Sequence, residues 1–190
     1  MRKLVYYVAS SIDGYIAGPG GETEFYPLGE DVMTFIGTEY PETLPTHLRG
    51  PLGIDGPNKR FDAVVMGRGT YRPALDIGLT SPYPHLRQYV VSRSLRGPEC
   101  AGVTLVHDDP VGLVRRLKQE SGLDVWLCGG GQLAGQLLPE IDELVLKQYP
   151  VLAGAGVPLF VGEFQPRGFD LAETTRFDNG TLVLRYTPLP

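Results

Sequence analysis

The sequence predicts an α/β domain with a mostly parallel central sheet, helices on its faces and an antiparallel hairpin at the C-terminus. Three observations predict it. Short apolar runs rich in Val, Leu and Tyr recur along the 190 residues, and stretches with helical spacing separate several of them. Two of the runs end in glycine turns that open into helices. Near the end of the chain, Asn179-Gly180 lies between apolar stretches. Strands that alternate with helices become parallel neighbours, and a closing hairpin adds an antiparallel edge.

Each element has its own signal. Leu4-Val5-Tyr6-Tyr7-Val8-Ala9 reads as a first buried strand. Residues 10–21, with Gly14, Gly18, Pro19, Gly20 and Gly21, read as a loop. A short helix is expected over residues 30–37. Residues 41–59 hold Pro41, Pro45, Pro51 and Pro57 with Gly50, Gly53 and Gly56, and no periodicity survives there. They read as a long surface loop, either a functional lid or partner contact, or an ordinary ordered excursion. Residues 61–66, 88–92 and 103–106 read as three further strands. The clearest helix follows. Asp108 or Asp109 caps it, Pro110 sits in its first turn, and Val111, Val114 and Leu117 form one stripe. Arg115, Arg116 and Lys118 favour its C-terminal end, and Gly122 lies beyond. Residues 125–128 form a fifth strand that runs into a helix ending near Pro139, and residues 144–149 a sixth. Asn179-Gly180, between Phe177 and Leu182-Val183-Leu184, predicts a two-residue mirror-image turn.

Composition narrows the function. Apolar residues make up 42% of the chain, enough for one sizeable core in a single domain over residues 1–190. The net charge of -5 argues against nucleic acid or an anionic membrane as partner, since both call for a basic face. The first apolar run is too short for a signal-peptide core, and no stretch approaches a membrane span. A cytoplasmic protein is the expectation. Cys100 and Cys128 do not make a disulfide framework. His47, His85 and His107 read as surface residues, none paired at a metal-ligand spacing, so no metal is expected.

Three segments carry chemistry. In Val125-Trp126-Leu127-Cys128-Gly129-Gly130-Gly131-Gln132-Leu133 an apolar strand meets three glycines and then a helix. Glycines allow close approach of a ligand, and free amides at a helix start suit a pyrophosphate; a purely structural tight turn is the competing reading. The glycines lack the spacing of the Rossmann fingerprint, so that fold is not implied. In Val64-Val65-Met66-Gly67-Arg68-Gly69-Thr70-Tyr71 a second strand ends in a glycine turn, with Thr70 as a candidate cap and Arg68 either phosphate-binding or solvated. Tyr89-Val90-Val91-Ser92-Arg93-Ser94 ends in a small polar, cationic cluster. Two arginines and two serines at neighbouring strand ends suit the 2′-phosphate of a dinucleotide.

In this order the segments resemble the dihydrofolate reductase superfamily, and within it the branch of the reductase domain of bacterial riboflavin biosynthesis and its stand-alone relatives. Residues 9–17, Ala-Ser-Ser-Ile-Asp-Gly-Tyr-Ile-Ala, look like that branch's opening strand and loop. Residues 141–160 resemble its late strand and following loop, and residues 180–186 its last strand. The resemblance implies a dihydrofolate-reductase-like fold, NADPH as cofactor and a homodimer. It implies that Ala9 and Ile16 line the nicotinamide. Gly67, Arg68, Gly69 and Thr70 would hold the adenosine phosphates and pyrophosphate, and Ser92 and Arg93 the 2′-phosphate and adenine. Gly130, Gly131, Gln132 and Leu133 would take the pyrophosphate. True dihydrofolate reductases carry an acid on the first helix, and Asp31 is the candidate here; an acid at a helix start also serves the dipole. Asp13 reads as a turn residue before Gly14, with substrate binding as the alternative. The zinc deaminase often fused to this reductase has no counterpart in the chain.

The expected function is NADPH-dependent reduction of a small, heterocyclic, pteridine- or pyrimidine-like substrate; a small polar carbonyl compound is a further candidate, and dihydrofolate itself is not expected. The substrate side would be lined by the first helix and the late strand near Lys147 and Tyr149. The loop after Ser11 and residues 41–59 are the candidates for closing the site. The alternative is a non-catalytic dinucleotide-binding dimer of the same fold. For dimerisation the apolar segment over residues 144–160 is the candidate surface.

Overall fold

In the computed structural model, which describes residues 1–96 and 102–190, the apolar runs become strands. In chain order the elements are β1 (Leu4–Ser10), β2 (Tyr15–Ala17), α1 (Glu30–Glu39), α2 (Thr46–Arg49), β3 (Phe61–Gly67), α3 (Arg68–Asp76), β4 (Arg87–Val91), β5 (Thr104–Val106), α4 (Pro110–Gln119), β6 (Asp124–Gly129), α5 (Gly131–Leu137), β7 (Glu143–Gln148), β8 (Val157–Pro158), β9 (Phe169–Arg176) and β10 (Leu182–Pro188). The main sheet runs β5-β4-β3-β6-β1-β7-β10-β9. From β5 to β7 the pairings are parallel, and β10 runs antiparallel to both β7 and β9. This is the mostly parallel sheet with a C-terminal antiparallel hairpin that the sequence predicts. Cys100 lies outside the described residues.

Alternation along the strands sends side chains to two faces. Val5, Tyr7, Met66, Trp126 and Val145 face a layer with Val32 and Ile36 of α1, Tyr40 and Phe177. Tyr6, Val65, Leu127, Leu144 and Leu146 face Val114 and Leu117 of α4 and Leu133 and Leu137 of α5. Asp109 caps α4, its carboxylate accepting the Gly112 amide at 2.7 Å, with Pro110 opening the helix. The buried stripe of α4 is Leu113, Val114, Leu117 and Lys118, with Val111 only partly covered.

The structure differs from the sequence reading at four places. Residues 10–21 are not wholly loop: β2 forms there and pairs antiparallel with β8. Residues 41–59 are not uniformly a surface excursion. A 3₁₀ turn over Pro41–Thr43 is buried, and α2 follows it. The buried Glu42 carboxylate accepts the amides of Lys59, Arg60 and Phe61 at 3.2, 2.7 and 2.8 Å, which ties the excursion to the start of β3. Thr70 is not a cap: α3 already begins at Arg68, and its N-cap, Gly67, makes no side-chain bond. The hairpin turn is longer than two residues. Phe177 N–H donates to Thr181 O, Gly180 N–H donates to Phe177 O, and Gly180 alone in the turn has positive φ, at 85°. That is the three-residue loop with glycine in the left-handed position. The helix after the glycine turn ends as expected near Pro139, passing at Leu138 into a short 3₁₀ turn.

Candidate active site

In a parallel sheet, loops gather at the C-terminal ends of the strands, and ligands bind in the crevices there. Here β3 and β6 are hydrogen-bonded neighbours, and both end in glycine. The two turns abut. A Cβ added to Gly67 would lie 3.6 Å from Gly129 O and 3.7 Å from Gly130 N. Gly129 has a φ of 126°, a conformation that side chains resist, and the Gly129–Gly130 peptide is cis. A Cβ at Gly130 would occupy the space bordered by Thr70 Oγ1 at 3.7 Å and Ile16 Cδ1 at 3.8 Å. The fold thus brings Ile16, Gly67, Thr70, Gly129 and Gly130 around one bare stretch of backbone. Gly69 also opens onto free space.

The other residues expected at the pyrophosphate behave differently. A Cβ at Gly131 would collide with the Pro158 carbonyl, and Val161 N–H donates to Gly131 O at 3.0 Å. Gly131 is therefore glycine because the chain after β8 crosses α5 at that point. Gly135 is explained in the same way, by the Val161 carbonyl. Leu133 is buried in the core, and Gln132 is exposed.

The cationic cluster forms where β3 and β4 end side by side, with Gly67 opposite Val91. Arg68 Nη1 donates to Ser94 Oγ at 3.0 Å. Ser92 is buried, and its hydroxyl accepts the amides of Ser94 and Leu95 at 3.3 and 3.1 Å, which shapes the turn that displays Arg93. Sequence reasoning missed two neighbours. Arg96 Nη1 lies 3.0 Å from His107 Nδ1, which in turn lies 2.7 Å from Ser92 O. His107 reaches Ser92 only through the pairing of β4 with β5, a relation that sequence spacing does not carry, whereas Arg96 lies four residues beyond Ser92 in the sequence.

On the side that the sequence reading expects to face substrate, Ala9 on β1 is in register with Lys147 on β7. Lys147 Nζ lies over the Tyr7 ring, 4.3 Å from its centroid. Tyr149 is buried against Tyr26, with ring centroids 4.8 Å apart. Burial pulls the Lys147 ammonium down to about 8 and pushes the Cys128 thiol up to about 12. Asp31 is not brought to the glycine turns. It lines a surface depression with Gly29, Thr34, Asp178 and Asn179, and its carboxylate accepts the Asp178 amide at 2.9 Å. Asp13 holds the loop before β8: it accepts the Ala153 amide at 3.0 Å and the Gly154 amide at 2.7 Å. The Ser11 hydroxyl, together with these amides, lowers the Asp13 carboxyl to about 2.

A mostly parallel sheet with two abutting glycine turns and a cationic strand-end cluster defines a protein of the dihydrofolate reductase fold class. The chain belongs to the RibD C-terminal domain family, whose pattern matches residues 2–183. It is 30% identical over 161 residues to YwjB of Bacillus subtilis (strain 168), a protein described as uncharacterized; the match covers 84% of this chain and 83% of that one. Acinetobacter baumannii RibD has a similar fold, with a TM-score of 0.68 and 22% identity over 100% of this chain and 58% of its own. So has the dihydrofolate reductase of Enterococcus faecalis complexed with NADP(H), with a TM-score of 0.63 and 15% identity over 99% of this chain and 97% of its own. Among the described residues no helix is long and apolar enough to cross a membrane.

Proposed function

We propose that this chain is a reductase that holds NADPH at the C-terminal ends of β3, β4 and β6 and reduces a small heterocycle, pyrimidine- or pteridine-like, lying beside β1 and β7. The observation that carries this reading is the bare backbone where the Gly67 and Gly129-Gly130 turns meet, within reach of Thr70 and Ile16. That space fits a pyrophosphate, which needs close approach and backbone amides rather than side chains. The solved dihydrofolate reductase of similar fold, complexed with NADP(H), supports the same assignment.

When bound, the reduced nicotinamide supplies a hydride, and the protein supplies position and a dry surface. In this reading Gly67, Gly69 and Gly130 make room for the pyrophosphate. Arg68 and Arg93 take the 2′-phosphate, and Ser92 holds the turn that presents Arg93. Ala9 and Ile16 flank the nicotinamide ring. Gly131 and Leu133 place α5, and Gln132 stands at the solvent edge. Asp31 anchors the C-terminal hairpin rather than touching substrate. Titration with NADPH and NADH tests the cofactor assignment; equal affinity for the two would remove the phosphate roles.

A binding protein without turnover is the second reading, favoured by the engagement of Asp31 in the hairpin. Oxidation of NADPH with a panel of pyrimidines, pteridines and carbonyl compounds separates the two. Tight NADPH binding with no turnover across the panel would favour the second. Homodimerisation belongs to the proposal too, on different grounds from those of the sequence. Most apolar residues of the 144–160 segment pack in the monomer core, but Leu152 within it is 70% exposed, and Phe164, beyond its end, 97%. Covering these two side chains with a second copy would take their apolar surface out of water. A monomer in sedimentation at micromolar concentration would exclude the dimer.

A further inference from the structure

The sequence Leu144-Val145-Leu146-Lys147-Gln148-Tyr149 places one lysine in an otherwise apolar strand. Alternation along β7 puts Lys147 on the face of Val145, which Tyr7, Ala9, Trp126 and Cys128 share. It is half-buried there. The other covered cations of the protein have oxygen partners. Arg2 pairs with Asp62, Lys118 with Asp142 at 2.7 Å, and Arg185 with Glu143 at 3.3 Å. Lys147 differs. Among the described residues no carboxylate or carbonyl accepts from its Nζ, which has only the Tyr7 ring and the neighbouring Cys128 thiol.

An ammonium removed from water without an acceptor is costly, and a cation–π contact offsets only part of that cost. The lack of a partner is informative because of where it falls. Lys147 is in register with Ala9, at the end of β1 that leads on to β2 and its Ile16. Cys128, beside it, immediately precedes the glycine turn. The surrounding groups are flat or apolar: the Tyr7 ring below, Trp126 on the same face, and the buried Tyr149 two residues on. This setting suits a planar ring that brings one acceptor atom.

We propose that Lys147 is a specificity-determining, substrate-contacting residue whose ammonium takes a ring carbonyl oxygen of the heterocycle, selecting oxo-substituted rings over amino-substituted ones. The inference rests on the reductase reading for the position of the ring, but it concerns this chain's own lysine. An amino substituent would set donor against donor, whereas a carbonyl oxygen supplies the missing acceptor. The ammonium is about 8 in the free protein, so it is mostly charged at neutral pH, and an acceptor oxygen would raise it. The groups facing it are the Cys128 thiol on β6 and the Tyr7 ring on β1.

Calorimetric titration with pteridine-2,4-dione and pteridine-2,4-diamine, with NADP+ present and absent, tests the proposal. Wild type should prefer the dione by about 10-fold or more, the value of one charged hydrogen bond. Lys147→Met should lose that preference while its NADP+ affinity stays the same, and it should fold, because it replaces an unpaired cation with an apolar chain of similar length. A readout without the variant is the Lys147 ε-carbon signal in 13C NMR, whose titration midpoint should rise when the dione binds. A preference unchanged in Lys147→Met, a midpoint that does not move, or binding of neither ring by wild type would overturn the proposal. A Lys147-dependent dione preference without NADP+ binding would instead retain it and remove the reductase reading.

Discussion

The Asp31 carboxylate accepts the backbone amide of Asp178 at 2.9 Å, joining the start of α1 to the turn of the C-terminal hairpin. Its other oxygen accepts the Val32 amide at 2.8 Å. Asn179 completes the junction by donating to Pro27 O at 2.7 Å. An acid at a helix start is placed well for the dipole, and here it also fixes where β9 and β10 turn. Asp31→Ala should therefore destabilise the protein by about 0.5–1.5 kcal/mol, the net value of an ordinary hydrogen bond. NADPH affinity should stay the same. Denaturant titration and cofactor titration on the same variant check both halves. Unchanged stability with lost turnover would return Asp31 to a catalytic role.

Two adjacent glycines should respond in opposite ways. Gly130 has an extended backbone, and a Cβ there meets nothing closer than 3.7 Å. Gly130→Ala should fold normally and bind NADPH at least about 10-fold more weakly, because the methyl group fills the space proposed for the pyrophosphate. At Gly131 the methyl group collides with the Pro158 carbonyl. Gly131→Ala should cost about 1–3 kcal/mol of stability, the usual price of overpacking. Thermal melts beside cofactor titrations separate the pair. Equal NADPH affinity in wild type and Gly130→Ala would make that turn purely structural.

Acid stability should carry the mark of Asp13. Its carboxyl is lowered to about 2 from an ordinary 3.8 by Ser11 and the amides of Ala153 and Gly154. A lowered carboxyl contributes stability that is fully present above the unfolded value and is lost as pH falls through the folded one. The stability difference between wild type and Asp13→Asn should thus be constant above about pH 4 and shrink between about pH 4 and pH 2. Chemical denaturation at a series of pH values measures it. A difference independent of pH across that window would show that the loop does not rely on the charge.

The parallel strands were legible because buried strands are continuous apolar runs, as in Val5 to Val8 and Val125 to Leu127, each almost wholly buried. What was not legible depends on contacts distant in sequence. β2 and β8 are three and two residues long, too short for any period, and exist through pairing across some 140 positions. Glu42 looks like a surface acid, but its role is set by the amides of residues 59–61 that fold back onto it. Asn179-Gly180 predicts a two-residue mirror-image turn, whereas the loop has three residues, Gly180 takes the positive φ and Asn179 bonds to Pro27 O. In the candidate site, the glycine turns and Arg68 were readable as strand-to-helix junctions. That Gly130 is open while Gly131 is closed depends on where Pro158 crosses, and no local pattern encodes that. Lys147 was legible as part of the late strand expected to line the substrate side, but its place over the Tyr7 ring without an oxygen partner depends on how β7 lies against β1.

In the proposed reading the strand-end arginines hold a 2′-phosphate above the glycine turns. Trp126 provides the probe: it lies on β6 two residues before the Cys128–Gly129 step, buried, with its Nε1 donating to Tyr7 O at 2.9 Å. The measurement is fluorescence titration of wild type and Arg68→Ala with NADPH and with NADH. Wild type should bind NADPH more tightly than NADH. Arg68→Ala should lose about 1.5–3 kcal/mol for NADPH, the value of a charge-assisted hydrogen bond, and almost nothing for NADH. Equal affinity of wild type for the two cofactors, or an equal loss for both in Arg68→Ala, would contradict that reading.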